Sequence, residues 1–230
     1  MRQFDLVVFD LGGTTIEDRG DVSKAFTAAL KSHRIDVTDS ELLGCRGRSK
    51  LDTVRFLVEK KSWGDTASSR RTVGRIYEAF REELKNRFQE NGVSPIPDAE
   101  KVFSWLKGRK IKTAMTTGFD RHIADFILKK LSWQKNVFDA TVCGSEVSQG
   151  RPAPFMIFRA MEACRTIDVH RVIKVGDTPV DIQAGTNAGV HTVAVLTGPH
   201  DENSLRKEKP AHIIPSIAEL PDVLKGEGFL

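Results

Sequence analysis

Short apolar runs alternating with helical patterns constrain this chain more than any other feature. Five runs have strand length: LVVFD (6–10), KTAMTTG (112–118), FDATVCG (138–144), VIKVGD (172–177) and HTVAVLTG (191–198). HIIP (212–215) reads as a sixth, weaker strand. Helical periodicity marks segments between them, such as DAEKVFSWLKGR (98–109) and PFMIFRAMEACRT (154–166). A chain that alternates in this way is expected to build an α/β fold, a Rossmann-like parallel sheet with helices on both faces.

Residues 18–93 break the rhythm. Helix follows helix there: GDVSKAFTAALKSH (20–33), TDSELLGC (38–45), KLDTVRFLVEKK (50–61) and an amphipathic run from Ser69 to Gln89. No strand pattern interrupts them, and the turn-rich NGVSPIPD (91–98) closes the stretch. The expected organisation is an α/β core of residues 1–17 and 94–230 with an inserted α-helical domain of residues 18–93.

Composition excludes several classes. With 40% hydrophobic and 29% charged residues, the chain reads as an ordinary globular protein. No apolar stretch approaches the ~20 residues that cross a bilayer, so no membrane partner is expected. The N-terminal apolar run is interrupted by Asp5 and Asp10 and lacks a small-residue cleavage site, which argues against a signal peptide. Three cysteines without a CxxC pair suggest reduced thiols and a cytoplasmic location. The net charge of +4 is spread along the chain. RGRSK (46–50) and GRKIK (108–112) are too short to be a nucleic-acid stripe. An anionic small molecule is the better match.

Open α/β sheets bind ligands beyond the carboxyl ends of their strands. Four such ends carry polar residues here: Asp10, then Thr116, Thr117 and Gly118, then the GRPAP segment with Arg151, then Asp177 with Asp181 four residues on. Carboxylates from two strands can hold a hard divalent cation such as Mg2+. An arginine and threonines beside them can neutralise and hydrogen-bond a phosphoryl group. Taken singly, each of these residues has an ordinary structural use as a cap, a turn or a surface charge.

The set DLGGTT, TTG, GRPAP and VGDTPVDIQAGTNAG, in that order, resembles the four motifs of the haloacid dehalogenase superfamily. The resemblance implies a hydrolase with an aspartate nucleophile, Asp10, and Mg2+ as cofactor. It implies metal binding by Asp10, Asp177 and the Gly12 carbonyl, with Asp181 close behind. Thr117, Thr116 and the Gly118 N–H would hold the phosphoryl group, and Arg151 would balance its charge. The helical insert corresponds to that family's cap.

Most phosphatases of the superfamily carry a second Asp where this chain has Gly12. The phosphonoacetaldehyde hydrolase (phosphonatase) branch lacks that Asp and has Arg in its third motif. A cap lysine there forms a Schiff base with the substrate aldehyde. The matching segment is GRSKLDTVRFL (47–57), and the lysine is Lys50. Breaking a P–C bond expels a carbanion, which a protonated imine can delocalise as an enamine. The absent acid and the present lysine therefore support one another. Taken alone, Lys50 at a helix start is an ordinary solvated lysine.

Three pocket positions depart from the branch. Thr53 stands where it has His, Arg46 before Gly47 where it has Met, and Phe119 where it has Tyr. These positions bear on substrate identity, and Arg46 suggests a larger or more anionic substrate. Two other readings stay open: a phosphate-monoester phosphatase in which Lys50 only positions substrate, and a weakly catalytic binder of a phosphorylated metabolite. The branch also implies a homodimer formed through the cap.

Overall fold

The computed structural model describes residues 4–61, 66–134 and 137–226. Residues 1–3, 62–65, 135–136 and 227–230 of the expected core and insert lie outside the described residues. The chain opens with β1 (Leu6–Asp10) and continues through α1 (Asp21–Lys31), α2 (Asp39–Gly44), α3 (Lys50–Lys61), α4 (Thr66–Glu90) and α5 (Ala99–Gly108). Then come β2 (Lys112–Thr117), α6 (Arg121–Lys130), β3 (Ala140–Cys143), α7 (Phe155–Ala163), β4 (Val172–Gly176) and α8 (Pro179–Ala188). The last elements are β5 (His191–Val195), α9 (Glu202–Arg206), β6 (His212–Ile214) and α10 (Leu220–Gly226).

All the described strands join one parallel sheet in the order β3-β2-β1-β4-β5-β6. The order reverses between β1 and β4, and that switch point opens a crevice beyond the strand ends. Asp10 therefore lies at the centre of the carboxyl edge. Thr116 is its partner in register on β2.

Alternate residues of β1 face opposite layers, as the two-residue period of a strand requires. Val7 and Phe9 join a cluster with Phe103 of α5 and Ile127 of α6. Leu6 and Val8 join another with Ile157 of α7 and Ala184 of α8. Every residue of β1 is buried, so the central strand reads as a continuous apolar run rather than an alternating one.

Helices α1–α4 lie between β1 and β2, with α1 and α3 packed against the long α4. Phe26 of α1 stacks on Phe80 of α4, with ring centroids 4.1 Å apart. The insert is tied to the sheet region by Tyr77 of α4, whose hydroxyl donates to Asp120 at 2.6 Å, and by Arg81, 3.0 Å from the same carboxylate. Asp120 also caps α6, accepting the Ile123 N–H at 3.0 Å. β3 begins two residues later than its apolar run, because Asp139 turns back to accept the Thr113 N–H at 2.8 Å. β5 ends at Val195, and its expected last residues form a loop. Among the described residues no helix is long and apolar enough to cross a membrane. Cys45, Cys143 and Cys164 are buried free thiols.

Candidate active site

The turn after β1 is fixed by its own hydrogen bonds. Thr15 Oγ1 donates to the carbonyls of Asp10 and Leu11, and the Gly13 N–H donates to Ile16 O at 2.8 Å. Gly13 sits at φ 83°, a conformation open to glycine at little cost. A side chain there would also lie 2.4 Å from Asp177 Oδ2. Gly198, in the loop after β5, approaches the same carboxylate, and a Cβ on it would lie 2.0 Å from Asp177 Oδ2. Two glycines thus make room for Asp177. Thr14 holds it in place, donating from Oγ1 to Asp177 Oδ1 at 2.8 Å.

Asp181 is placed by the start of α8. Thr178 caps this helix, accepting the Asp181 N–H, and Pro179 occupies the first turn. The Thr178 hydroxyl donates to Asp181 Oδ2 at 2.5 Å. Asp181 Oδ1 receives two cations, Arg151 Nη1 and Lys174 Nζ, the latter at 2.9 Å. Arg151 Nη1 also reaches Asp10 Oδ1 at 2.7 Å.

Asp10, Asp177 and Asp181 are all buried, and one oxygen of each lies within 4.8 Å of the others. Burial raises the pKa of Asp10, against the pull of Arg151. Burial, then the neighbouring Asp10 and Asp181, push Asp177 well above the usual carboxylate range. Burial would raise Asp181 too, but Arg151 and Lys174 outweigh it and hold the group down at about 2. Two of the three buried carboxylates, Asp10 and Asp181, share the ion-paired cations Arg151 and Lys174. Among the described residues Asp177 has no basic side chain at ion-pair distance. An oxygen-rich donor set with excess negative charge fits a divalent cation such as Mg2+.

Thr116 and Thr117 separate in role. Thr116 Oγ1 donates to Phe9 O at 3.3 Å and accepts from Lys174 Nζ at 3.3 Å, so it is engaged within the sheet. Thr117 lines a cavity of about 50 Å3 together with Asp10, Gly12, Gly118, Arg151 and Asp177. Thr117 Oγ1 also accepts the Phe119 N–H at 3.2 Å.

The insert supplies the opposite wall: Arg46, Gly47 and Lys50. The loop before α3 lies directly on the strand-end loops. Gly47 has φ 77°, and a side chain there would sit 2.3 Å from Thr178 Oγ1. A Cβ on Gly118 would lie 2.3 Å from Arg48 O. A Cβ on Gly150 would lie 3.2 Å from the Ser49 side chain. The Lys50 N–H donates to Gly118 O at 3.0 Å. Successive residues of one loop thus rest on three of the four sequence motifs, and Lys50 is delivered to the cavity.

Lys50 is only 8% exposed. Its Nζ donates to Arg48 O at a long 3.4 Å and lies 5.0 Å from the centre of the Phe119 ring. Among the described residues it has no carboxylate at ion-pair distance. Burial, with Arg151 and Arg46 adding repulsion, lowers its pKa to about 8. Thr53 is not a replacement proton carrier in this arrangement, because its hydroxyl donates to Ser49 O at 2.9 Å.

Arg46 is paired with Asp18 at 2.5 Å and donates to Ser23 Oγ at 3.0 Å. Gly12 has no atom within 4 Å of where a Cβ would point. His122 lies in a separate groove between α4 and α6. Sequence reasoning missed Lys174, Thr14 and Asp18. Lys174 left one signal, a lysine inside an otherwise apolar strand.

A family model for haloacid dehalogenase-like hydrolases matches residues 7–195. The bifunctional phosphonoacetaldehyde hydrolase/aminoethylphosphonate transaminase of Clostridioides difficile (strain 630) is 32% identical over 250 residues, covering 95% of this chain. The chain spans 39% of that longer protein. The phosphonoacetaldehyde hydrolase of Bacillus mycoides (strain KBAB4) is 31% identical over 222 residues, which is 93% of this chain and 83% of that one. Among solved structures, a phosphonoacetaldehyde hydrolase-like protein from Oleispira antarctica superposes with a TM-score of 0.84 at 22% identity, covering 97% of this chain and 92% of its own.

Proposed function

The chain belongs to the haloacid dehalogenase-like hydrolases, and on that premise we propose that it is a phosphonatase-like member that cleaves the P–C bond of a small carbonyl phosphonate. The observation that carries this reading is Lys50, buried in the wall of the cavity that holds Asp10, with a pKa of about 8. A lysine at that value is a substantially neutral amine near pH 8 and a competent nucleophile. The relatives named as phosphonoacetaldehyde hydrolases support the substrate class.

In this reading the neutral Lys50 amine adds to the substrate carbonyl, takes up one proton from solvent and loses water, leaving a protonated imine. Asp10 then attacks phosphorus. The P–C bond breaks, its electron pair enters the imine as an enamine, and the phosphoryl group remains on Asp10. Water releases phosphate from Asp10. Protonation of the enamine carbon and hydrolysis of the imine return Lys50 and release the aldehyde. Thr117 and the Gly118 N–H orient the phosphoryl oxygens, and Arg151 neutralises them. Asp10, Asp177 and the Gly12 carbonyl would hold Mg2+, with Asp181 behind them. When bound, Mg2+ shields the mutual repulsion of the carboxylate and phosphoryl anions.

The division into a core of residues 1–17 and 94–230 and a cap of residues 18–93 belongs to the same proposal. Cap closure brings Lys50 to Asp10 and excludes bulk water. A cavity of about 50 Å3 suits a substrate of few heavy atoms.

Phosphate release tests the reading, with phosphonoacetaldehyde set against small phosphate monoesters, with and without Mg2+. We expect phosphonoacetaldehyde to be turned over faster than any ester. Ester hydrolysis without phosphonate cleavage would replace this reading with a phosphatase. Phosphate binding without any turnover would replace it with a metabolite binder.

A further inference from the structure

The site contains a buried cation for which the proposed reaction has no direct use. Lys174 sits inside β4 with an exposure of 0%. Its ammonium has three protons, and three acceptors surround it: Asp181 Oδ1 at 2.9 Å, Val175 O at 3.0 Å and Thr116 Oγ1 at 3.3 Å. A charge so far from water is costly unless it is paired and fully hydrogen-bonded. The backbone also makes room for its stem. A Cβ on Gly185 of α8 would lie 3.2 Å from Lys174 Cβ, so the glycine lets helix and strand close over the lysine. Lys174 does not line the cavity, which rules out a direct contact with substrate there.

What Lys174 changes is the balance around Arg151. One guanidinium nitrogen, Nη1, is shared between Asp10 Oδ1 and Asp181 Oδ1. Asp181 Oδ2 is occupied by the Thr178 hydroxyl. Among the described residues the basic partners of Asp181 are Arg151 and Lys174. Without Lys174 the full charge of Asp181 would fall on Arg151, drawing the guanidinium away from Asp10 and from any phosphoryl group beside it.

We propose that Lys174 is a positioning residue: by serving as the counter-ion of Asp181 it leaves Arg151 available to the phosphoryl group. The same ammonium engages Thr116, which keeps that hydroxyl within the sheet and leaves Thr117 to face the cavity. The inference rests on the reading that Arg151 meets the phosphoryl group, but it does not depend on which bond the enzyme breaks.

The test uses inorganic phosphate, a product common to phosphonate and ester cleavage. Its affinity is measured by calorimetry at saturating Mg2+ in wild type, Lys174→Met, Asp181→Asn and the double variant, with the melting temperature recorded for each. We expect Lys174→Met to bind phosphate about tenfold or more weakly, and the double variant to recover a clear part of that loss relative to Lys174→Met. A folded Lys174→Met with wild-type phosphate affinity would reduce Lys174 to a purely structural role and overturn the proposal. So would a double variant as weak as the single one, since Lys174 would then act without Asp181. If Lys174→Met does not fold, the double variant, which buries neither charge, decides between these outcomes. A wild-type protein that binds no phosphate at all would remove the functional reading itself, and the inference with it.

Discussion

Two lysines are buried at this site, and they are held in opposite ways. Lys174 comes from a central strand and satisfies all three of its protons, one of them on a carboxylate. Lys50 comes from the insert and has one long bond to a carbonyl and the face of a phenyl ring. The first is an ion-paired ammonium, built into the sheet. The second is starved of anionic partners, and burial lowers its pKa to about 8. Burial alone therefore does not make a lysine reactive. The surroundings decide whether it serves as a fixed charge or as an amine.

Removing each lysine should separate the two roles. Lys50→Met is expected to cut P–C cleavage by about three orders of magnitude, roughly 4 kcal/mol of transition-state stabilisation. The same change should raise stability at neutral pH. The folded-state pKa of Lys50 lies below its unfolded value, so its buried charge destabilises the fold below about pH 8, and the penalty fades as pH rises towards 10.5. A gain on the order of 2–3 kcal/mol is expected at pH 7 and little above pH 10, read from denaturation midpoints. The pH dependence of kcat/KM should rise with pH and level off near 8, as the free amine becomes the dominant form.

Lys174→Met should move stability the other way. Removing one partner of a buried pair typically costs about 3–5 kcal/mol, visible in the same denaturation curves. Stabilisation by Lys174→Met, or destabilisation by Lys50→Met, would erase the distinction between the two.

Gly47→Ala tests how Lys50 is delivered. The backbone there is left-handed, and the new methyl would lie 2.3 Å from Thr178 Oγ1. We expect kcat/KM to fall about 10- to 100-fold through displacement of the loop, with phosphate affinity almost intact. Gly12→Asp is the mildest change, since its Cβ points into open space. It should fold normally, lower P–C cleavage by about tenfold, and raise hydrolysis of phosphate monoesters, both followed as phosphate release.

The sheet and half of the site were legible in the sequence because their signals are local. Apolar runs marked the strands, and the polar residue ending each run marked the crevice. The structure does bring Asp10, Thr117, Gly118, Arg151 and Asp177 to one cavity. Lys50 was legible only by resemblance, since nothing in GRSKLDT reveals that the loop lies on three strand ends. Lys174 was absorbed into the apolar run VIKVGD, because its partner Asp181 sits across a strand-to-helix turn and no periodicity links them. The Arg46–Asp18 pair joins a residue of the loop before α3 to one just after the first motif, and no local pattern connects the two. Thr14 could be seen as a motif residue, but its bond to Asp177 spans 163 positions.

The most direct measurement is chemical trapping on the wild-type protein. Phosphonoacetaldehyde, Mg2+ and borohydride are incubated together, and the modified residue is located by mass spectrometry. We predict a reduced adduct on Lys50, absent in Lys50→Arg, and phosphate release when borohydride is left out. Phosphate release with no adduct on Lys50, or an adduct on another lysine, would contradict the assignment of Lys50 as the imine-forming amine.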